Sequence, residues 1–174
     1  SGILLASAAA HGQTPANWLG PTSGNWTNPA RWSTNPAFPN NGGPTYNVTI
    51  SASGSPYVVT LDQNITIVNL TMNSPDLTLL HGGAFTLRTT QNLTVGNSAV
   101  IDGGGFAATV QVDGTTTIQN CSLRRIPIFR SLGPIIYSNP GTITIDDSQV
   151  DHADGSAVMT GGGDMVITNG GSIN

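Results

Sequence analysis

The sequence predicts an all-β protein: a right-handed parallel β-helix of about five coils behind a Trp-rich N-terminal cap. Three observations point there. Only 8% of the 174 residues are charged, against roughly 25% in ordinary globular domains. Every acid is Asp and every base Arg, so the Glu and Lys that normally coat solvent-facing helices are missing. Thr, Ser, Asn and Gly take their place, and these suit strands and tight turns. Second, one phrase recurs along the chain: apolar, any, apolar, any, then Asn or Asp. Third, Trp18, Trp26 and Trp32 crowd together ahead of its first copy.

Residues 1–10, SGILLASAAA, form an apolar run rich in small residues, like the back half of a secretory signal peptide. Ala8-Ala9-Ala10 suits the cleavage site, which would leave His11 first. An exported product, secreted or at the cell surface, is the expectation. No segment reaches the roughly 20 apolar residues that a spanning helix needs, so no membrane span is expected.

Residues 11–44 read as a cap rich in Trp and Pro. An open solenoid exposes its core and its strand edges at the end, and something must cover them. Three tryptophans at that place are suited to plug the first coil. Their other use would be as flat faces for sugar rings, which makes Trp18, Trp26 and Trp32 carbohydrate-binding candidates.

The order of segments here is W-x-G-x-x-S-G-N-W-x-N-P-x-x-W, a Pro-rich link, then YNVTI, YVVTLD and ITIVNLTM. It resembles the N-terminal region of large exported bacterial β-helix proteins of the autotransporter-like or surface-anchored kind. The resemblance covers residues 14–102 and rests on pattern. It implies a Trp-rich segment leading into the first rungs, and a place at the cell surface as an adhesin or matrix component.

Residues 45–174 carry the coils. Leu93-T-Val95-G-Asn97, Thr116-T-Ile118-Q-Asn120, Ile143-T-Ile145-D-Asp147 and Met165-V-Ile167-T-Asn169 share the phrase. Thr116 is its one imperfect member. Asn73 extends the series upstream, one residue out of register. Each copy reads as a period-two strand ending at a residue that tolerates a left-handed backbone. Stacked coils would align Asn73, Asn97, Asn120, Asp147 and Asn169 as a turn ladder. The long step from Asn120 to Asp147 contains RRIPIFRSLGPIIYSNP and predicts a bulging loop. The chain stops inside the pattern, at MVITNGGSIN, so a continuation past Asn174 or end-to-end stacking of copies into a fibre is expected.

One stretch, GTITIDDSQVDHADG, gathers four aspartates beside His152. With Ile143 and Ile145 inward, Asp146 would face out between Gln119 and Thr168 of adjacent coils. Asp147 would fill a ladder position, and Asp151 would lie near Arg124. Each residue thus has a structural explanation, and no catalytic residue, metal or cofactor is expected. Were the chain an enzyme, Asp146, Asp151 and His152 would be its set, since two carboxylates about 5–10 Å apart suffice for glycoside hydrolysis. Asp151 and Asp154 are a weak Ca²⁺ pair, and Tyr137 joins the sugar-binding candidates.

A net charge of −4 and five arginines exclude a nucleic-acid partner, which needs clustered positive charge. Cys121 is the lone cysteine, so no intrachain disulfide forms. Six N-x-S/T sequons, at Asn25, Asn47, Asn64, Asn69, Asn92 and Asn120, read as by-products of an Asn- and Thr-rich chain. The expected function is that of a non-enzymatic, secreted or cell-surface structural β-helix of adhesin type. The alternative is a polysaccharide-binding or pectate-lyase-like polysaccharide-degrading β-helix.

Overall fold

A computed structural model describes residues 12–132, 135–138, 143–146, 149–152, 157–160, 165–169 and 172–173. They form a β-solenoid. The cap contributes β1 (Thr14–Asn17) and β2 (Gly24–Asn25), with one 3-10 turn at Pro29–Arg31. Successive circuits follow as β3 (Tyr46–Ile50), β4 (Tyr57–Leu61) and β5 (Ile65–Ile67), then β6 (Asn69–Asn73), β7 (Leu77–His81) and β8 (Thr86–Thr89). Next come β9 (Leu93–Gly96), β10 (Val100–Asp102) and β11 (Thr109–Val112), then β12 (Thr116–Gln119), β13 (Ser122–Arg124) and β14 (Ile128–Ser131). The last described strands are β15 (Ile135–Ser138), β16 (Ile143–Asp146), β17 (Gln149–His152), β18 (Ala157–Thr160), β19 (Met165–Thr168) and β20 (Ser172–Ile173).

From β3 onward every third strand pairs in parallel. The first sheet runs β1-β3-β6-β9-β12-β15-β18, the second β2-β4-β7-β10-β13-β16-β19, and the third β5-β8-β11-β14-β17-β20. Alternate side chains point into the coil, as the buried Tyr46, Val48 and Ile50 of β3 do. Apolar residues stack on apolar residues through the core. Val59, Leu79, Ile101, Leu123 and Ile145 make one such column, and Ile65, Leu87, Val110, Phe129 and Val150 another. Thr116 faces inward as Leu93 does, and its polar side chain is accommodated there because its hydroxyl bonds that of buried Ser131 at 3.0 Å.

The cap closes all three sheets at the solenoid's first edge. β1 pairs with β3 and β2 with β4. β5 receives no strand among the described residues; instead Asn40 Oδ1 accepts from the Thr66 N–H at 2.9 Å, and the Asn41 N–H donates to the Thr66 carbonyl at 2.6 Å. Trp26 and Trp32 are fully buried and Trp18 nearly so. The Trp32 ring lies 5.0 Å from Trp18, edge-on, and 4.8 Å from Trp26. Each indole N–H finds a carbonyl: Thr22 for Trp18, Pro39 for Trp26 and Trp26 for Trp32. These three positions form the plug. A sugar platform there would need an exposed indole face, and the packing leaves none.

Four expectations about the loop and the register are corrected. RRIPIFRSLGPIIYSNP is not a bulging loop: it supplies the regular strands β14 and β15, and Tyr137 lies on β15 opposite Ile118. The phrase copy following Thr116-T-Ile118 in the stack is therefore Ile135-I-Tyr137, whereas Ile143-T-Ile145 lies in the second sheet on β16. Asp146 accordingly sits opposite Arg124 and Thr168, not Gln119. Asp151 pairs in register with Arg130 rather than lying beside Arg124.

Candidate functional site

The expected turn ladder divides between two corners. Asn97 and Asn120 follow β9 and β12 in the first sheet, with φ of 53° and 40°. This left-handed conformation is one that Asn tolerates better than most residues. Asn169, with φ of 51°, follows β19 in the second sheet, in line with Arg125, also at 51°. Asn73 ends β6 opposite Gly96, one place short of Asn97. Asp147 and Asp154 lie outside the described residues.

Asn73, Asn97, Gln119 and Asn120 line an open recess of about 270 Å³. Asn120 Nδ2 donates to Ser98 Oγ at 3.2 Å, and the described residues lining the recess are all neutral amides.

A different ladder runs along the first sheet. Asn47 Nδ2 donates to Gln13 Oε1 at 2.7 Å, and Asn69 Nδ2 donates to Asn47 Oδ1 at 2.7 Å. Asn69 Oδ1 accepts from the Asn92 N–H at 2.9 Å, and Asn92 Oδ1 from the Thr115 N–H at 3.1 Å. A second chain links Asn40 to Thr66 and Asn64 Oδ1 to the Thr86 N–H at 2.8 Å. Four sequon asparagines thus hold or flank coil-to-coil bonds. The signal was in the sequence, since Asn47, Asn69 and Asn92 recur at intervals of 22 and 23 residues. Beside them stand Thr49, Thr71, Thr94 and Thr117, in register on the same outer face.

Charged side chains occupy the other two sheets and the corners. Five aspartates have described side chains, and each accepts a hydrogen bond from a segment roughly one coil away. Asp62 takes the Thr27 N–H and hydroxyl, at 3.2 and 2.5 Å. Asp76 takes the Gly54 N–H at 2.8 Å, and Asp146 the Asn169 amide at 2.6 Å. Asp102 meets Arg125 through two bonds of 2.9 and 2.5 Å, and also accepts the Gly104 N–H. Burial alone would raise the Asp102 pKa, but these donors and the charges of Arg125 and Arg124 hold it below the usual carboxylate range. Asp113 is lowered by its bonds to Arg88, the shortest 2.6 Å, with burial opposing and Gln111 assisting.

Of the conditional catalytic set, Asp146 faces Arg124 across the second sheet, while Asp151 and His152 lie on β17 in the third, opposite Arg130 and Ser131. The topology places Asp146 and Asp151 on consecutive strands of one circuit, but on different sheets. Among the described residues no group of three or more His, Cys, Asp or Glu could hold a metal ion. Cys121 is buried, and burial pushes its thiol up to about 12, so it is a core residue rather than a nucleophile. No described helix is long and apolar enough to cross a membrane. Comparison of the chain with protein-family profiles, with curated proteins and with solved structures finds no match.

Proposed function

We propose that this chain is a non-enzymatic structural module of an exported or cell-surface protein, a β-solenoid of adhesin or matrix type that works through its long faces. The observation supporting this reading is the commitment of the aspartates. All five with described side chains bind across a coil, which suits carboxylates that fix register better than carboxylates that meet a substrate. End-to-end stacking of copies belongs to the same reading.

Polysaccharide binding is the second reading, favoured by the amide recess of Asn73, Asn97, Gln119 and Asn120. Neutral amides donate and accept at once, as sugar hydroxyls do, so an uncharged glycan is the ligand of that class. Co-sedimentation of the purified chain with a panel of insoluble and soluble polysaccharides tests both. Binding that is lost in Asn97→Ala/Gln119→Ala establishes the second reading. No binding, with filaments seen by electron microscopy, supports the first. Release of new reducing ends or unsaturated sugars would overturn the non-enzymatic assignment and make Asp146, Asp151 and His152 the residues to substitute.

A further inference from the structure

We propose that the corner formed by residues 82–85 and 103–106 is an acid-sensitive latch, closed while His81 is neutral and released when the ring takes a second proton. His81 ends β7 with its side chain fully buried, at the place in the inward column where β4 has Leu61. An imidazole in a position built for an apolar side chain calls for a reason.

Its protonation state follows from its bonds. Nδ1 lies 3.2 Å from the Phe85 carbonyl oxygen, which can only accept. Nδ1 therefore carries the proton, and Nε2 carries the lone pair. Nε2 is buried without a hydrogen-bond partner. A second proton must bind at Nε2, placing a charged N–H where no acceptor stands among the described residues. Such a charge costs far more inside a protein than in water.

The surrounding charges do not offset this. The strands and corners beside His81 bring Asp62 after β4, Asp102 on β10, Arg124 at the end of β13 and Arg125 beyond it. Of these charges Asp102 is the one that acts on the ring in favour of the imidazolium, and it is already held by Arg125 and the Gly104 N–H. Burial is the dominant effect and lowers the His81 pKa; the Phe85 carbonyl and Asp102 oppose it.

The corner is also closely built. The Gly82 N–H bonds the Leu61 carbonyl at 2.9 Å, Phe85 N–H the Gly83 carbonyl at 2.8 Å, and Thr109 N–H the Phe85 carbonyl at 3.1 Å. A Cβ on Gly103 would overlap the Arg125 carbonyl, and one on Gly104, at φ of 67°, that of His81 itself. The backbones touch, so the ring cannot reach solvent while the corner stays shut. Release would expose Phe85, which packs on the core, beside Phe106, already half-exposed.

This inference is independent of what the outer faces bind. Amide hydrogen exchange, corrected for intrinsic rates, tests it on the whole chain. Protection at Gly82 and Thr109, relative to Val59, falls on acidification below about pH 6.5, by about tenfold per unit through which burial lowers the ring's pKa. In His81→Asn, whose amide can still donate to Phe85 but takes no charge, the ratio stays flat. An unchanged ratio in the wild type, or the same fall in His81→Asn, overturns the proposal. Should that variant not fold, NMR titration of the wild-type His81 ring decides. Titration at or above a free histidine's midpoint, or without loss of the Thr109 amide's protection, overturns it equally.

Discussion

The outer face of the first sheet and those of the other two join the same coils by different chemistry. On the first, amides stack like upon like: Asn47, Asn69 and Asn92 follow one another with Thr49, Thr71, Thr94 and Thr117 alongside. On the second, the column reads Asp102, Arg124, Asp146; on the third, Arg88, Gln111, Arg130. An amide is donor and acceptor together, so identical residues can bond in series. Carboxylates only accept, and like charges in register repel. A charged column must therefore alternate in sign or be diluted by neutral residues. The amide face is periodic and favours no one rung over another. The charged faces carry an order of signs that the observed register satisfies.

The most disruptive way to break that contrast is to remove the alternation. Arg124→Asp puts three carboxylates in consecutive register positions, and we expect a loss of about 2 kcal/mol at neutral pH, from two like-charge neighbours and the lost attraction to Asp102. The sign of its pH dependence is diagnostic. In the wild type, Asp102 and Asp113 have lowered folded pKa values. Their contribution is whole above about pH 3.9 and is lost as pH falls through the folded values. In the variant, mutual repulsion raises the carboxylate pKa values, so its deficit against wild type should shrink on acidification. Urea unfolding at pH 7 and pH 4.5 checks this; a deficit that stays constant would mean the column is not electrostatically coupled.

The contrast also explains how much could be read from the sequence. Period-two strands, Gly and Asn corners and the missing Glu and Lys declare a stacked β-solenoid, and Trp26 and Trp32 declare its plug. Register was not legible from the chosen phrase, because apolar-any-apolar-any-Asn describes strand ends in two different sheets. Asn120 follows a first-sheet strand and Asn169 a second-sheet strand. IIYSN fits the phrase as well as ITIDD does, yet it lies inside the long step from Asn120 to Asp147, among Arg and Pro residues that suggest a loop. The signs of Asp102, Arg124 and Asp146 agree with the true phase but do not fix it, since the shifted register also sets an aspartate, Asp151, beside Arg124. Of the candidate sites, Asp146 could be placed only once that phase was known. His81 carried no sequence signal beyond occupying a leucine's place in a column whose register had to be known first.

Cutting the amide ladder should matter less and should ignore pH. Asn69 is its central member, bonded to Asn47 and Gln91 and accepting from the Asn92 N–H. Asn69→Ala removes these bonds at a half-exposed site where water can replace some of them, at a cost of about 1 kcal/mol. Urea midpoints should show the same deficit at pH 7 and pH 4.5 and at low and high salt, because no titrating group is involved. A deficit that varies with pH would place the ladder in the same electrostatic network as the charged faces.

The smallest effect falls on Arg88. Its guanidinium reaches Asp113 at 2.6 Å with a side chain 45% exposed, so Arg88→Ala should cost only about 0–1 kcal/mol. What the pair offers is a test of kind rather than size. Screening shortens the reach of an exposed charge to about 3 Å in 1 M salt, so the deficit measured at low salt should fade there while that of Asn69→Ala persists. If both deficits faded together, the amides would be holding the coils indirectly, through the charged corners. If neither did, the Arg88 side chain would be acting by covering the third sheet with its methylenes, and the two kinds of face would differ in composition without differing in how they bind coil to coil.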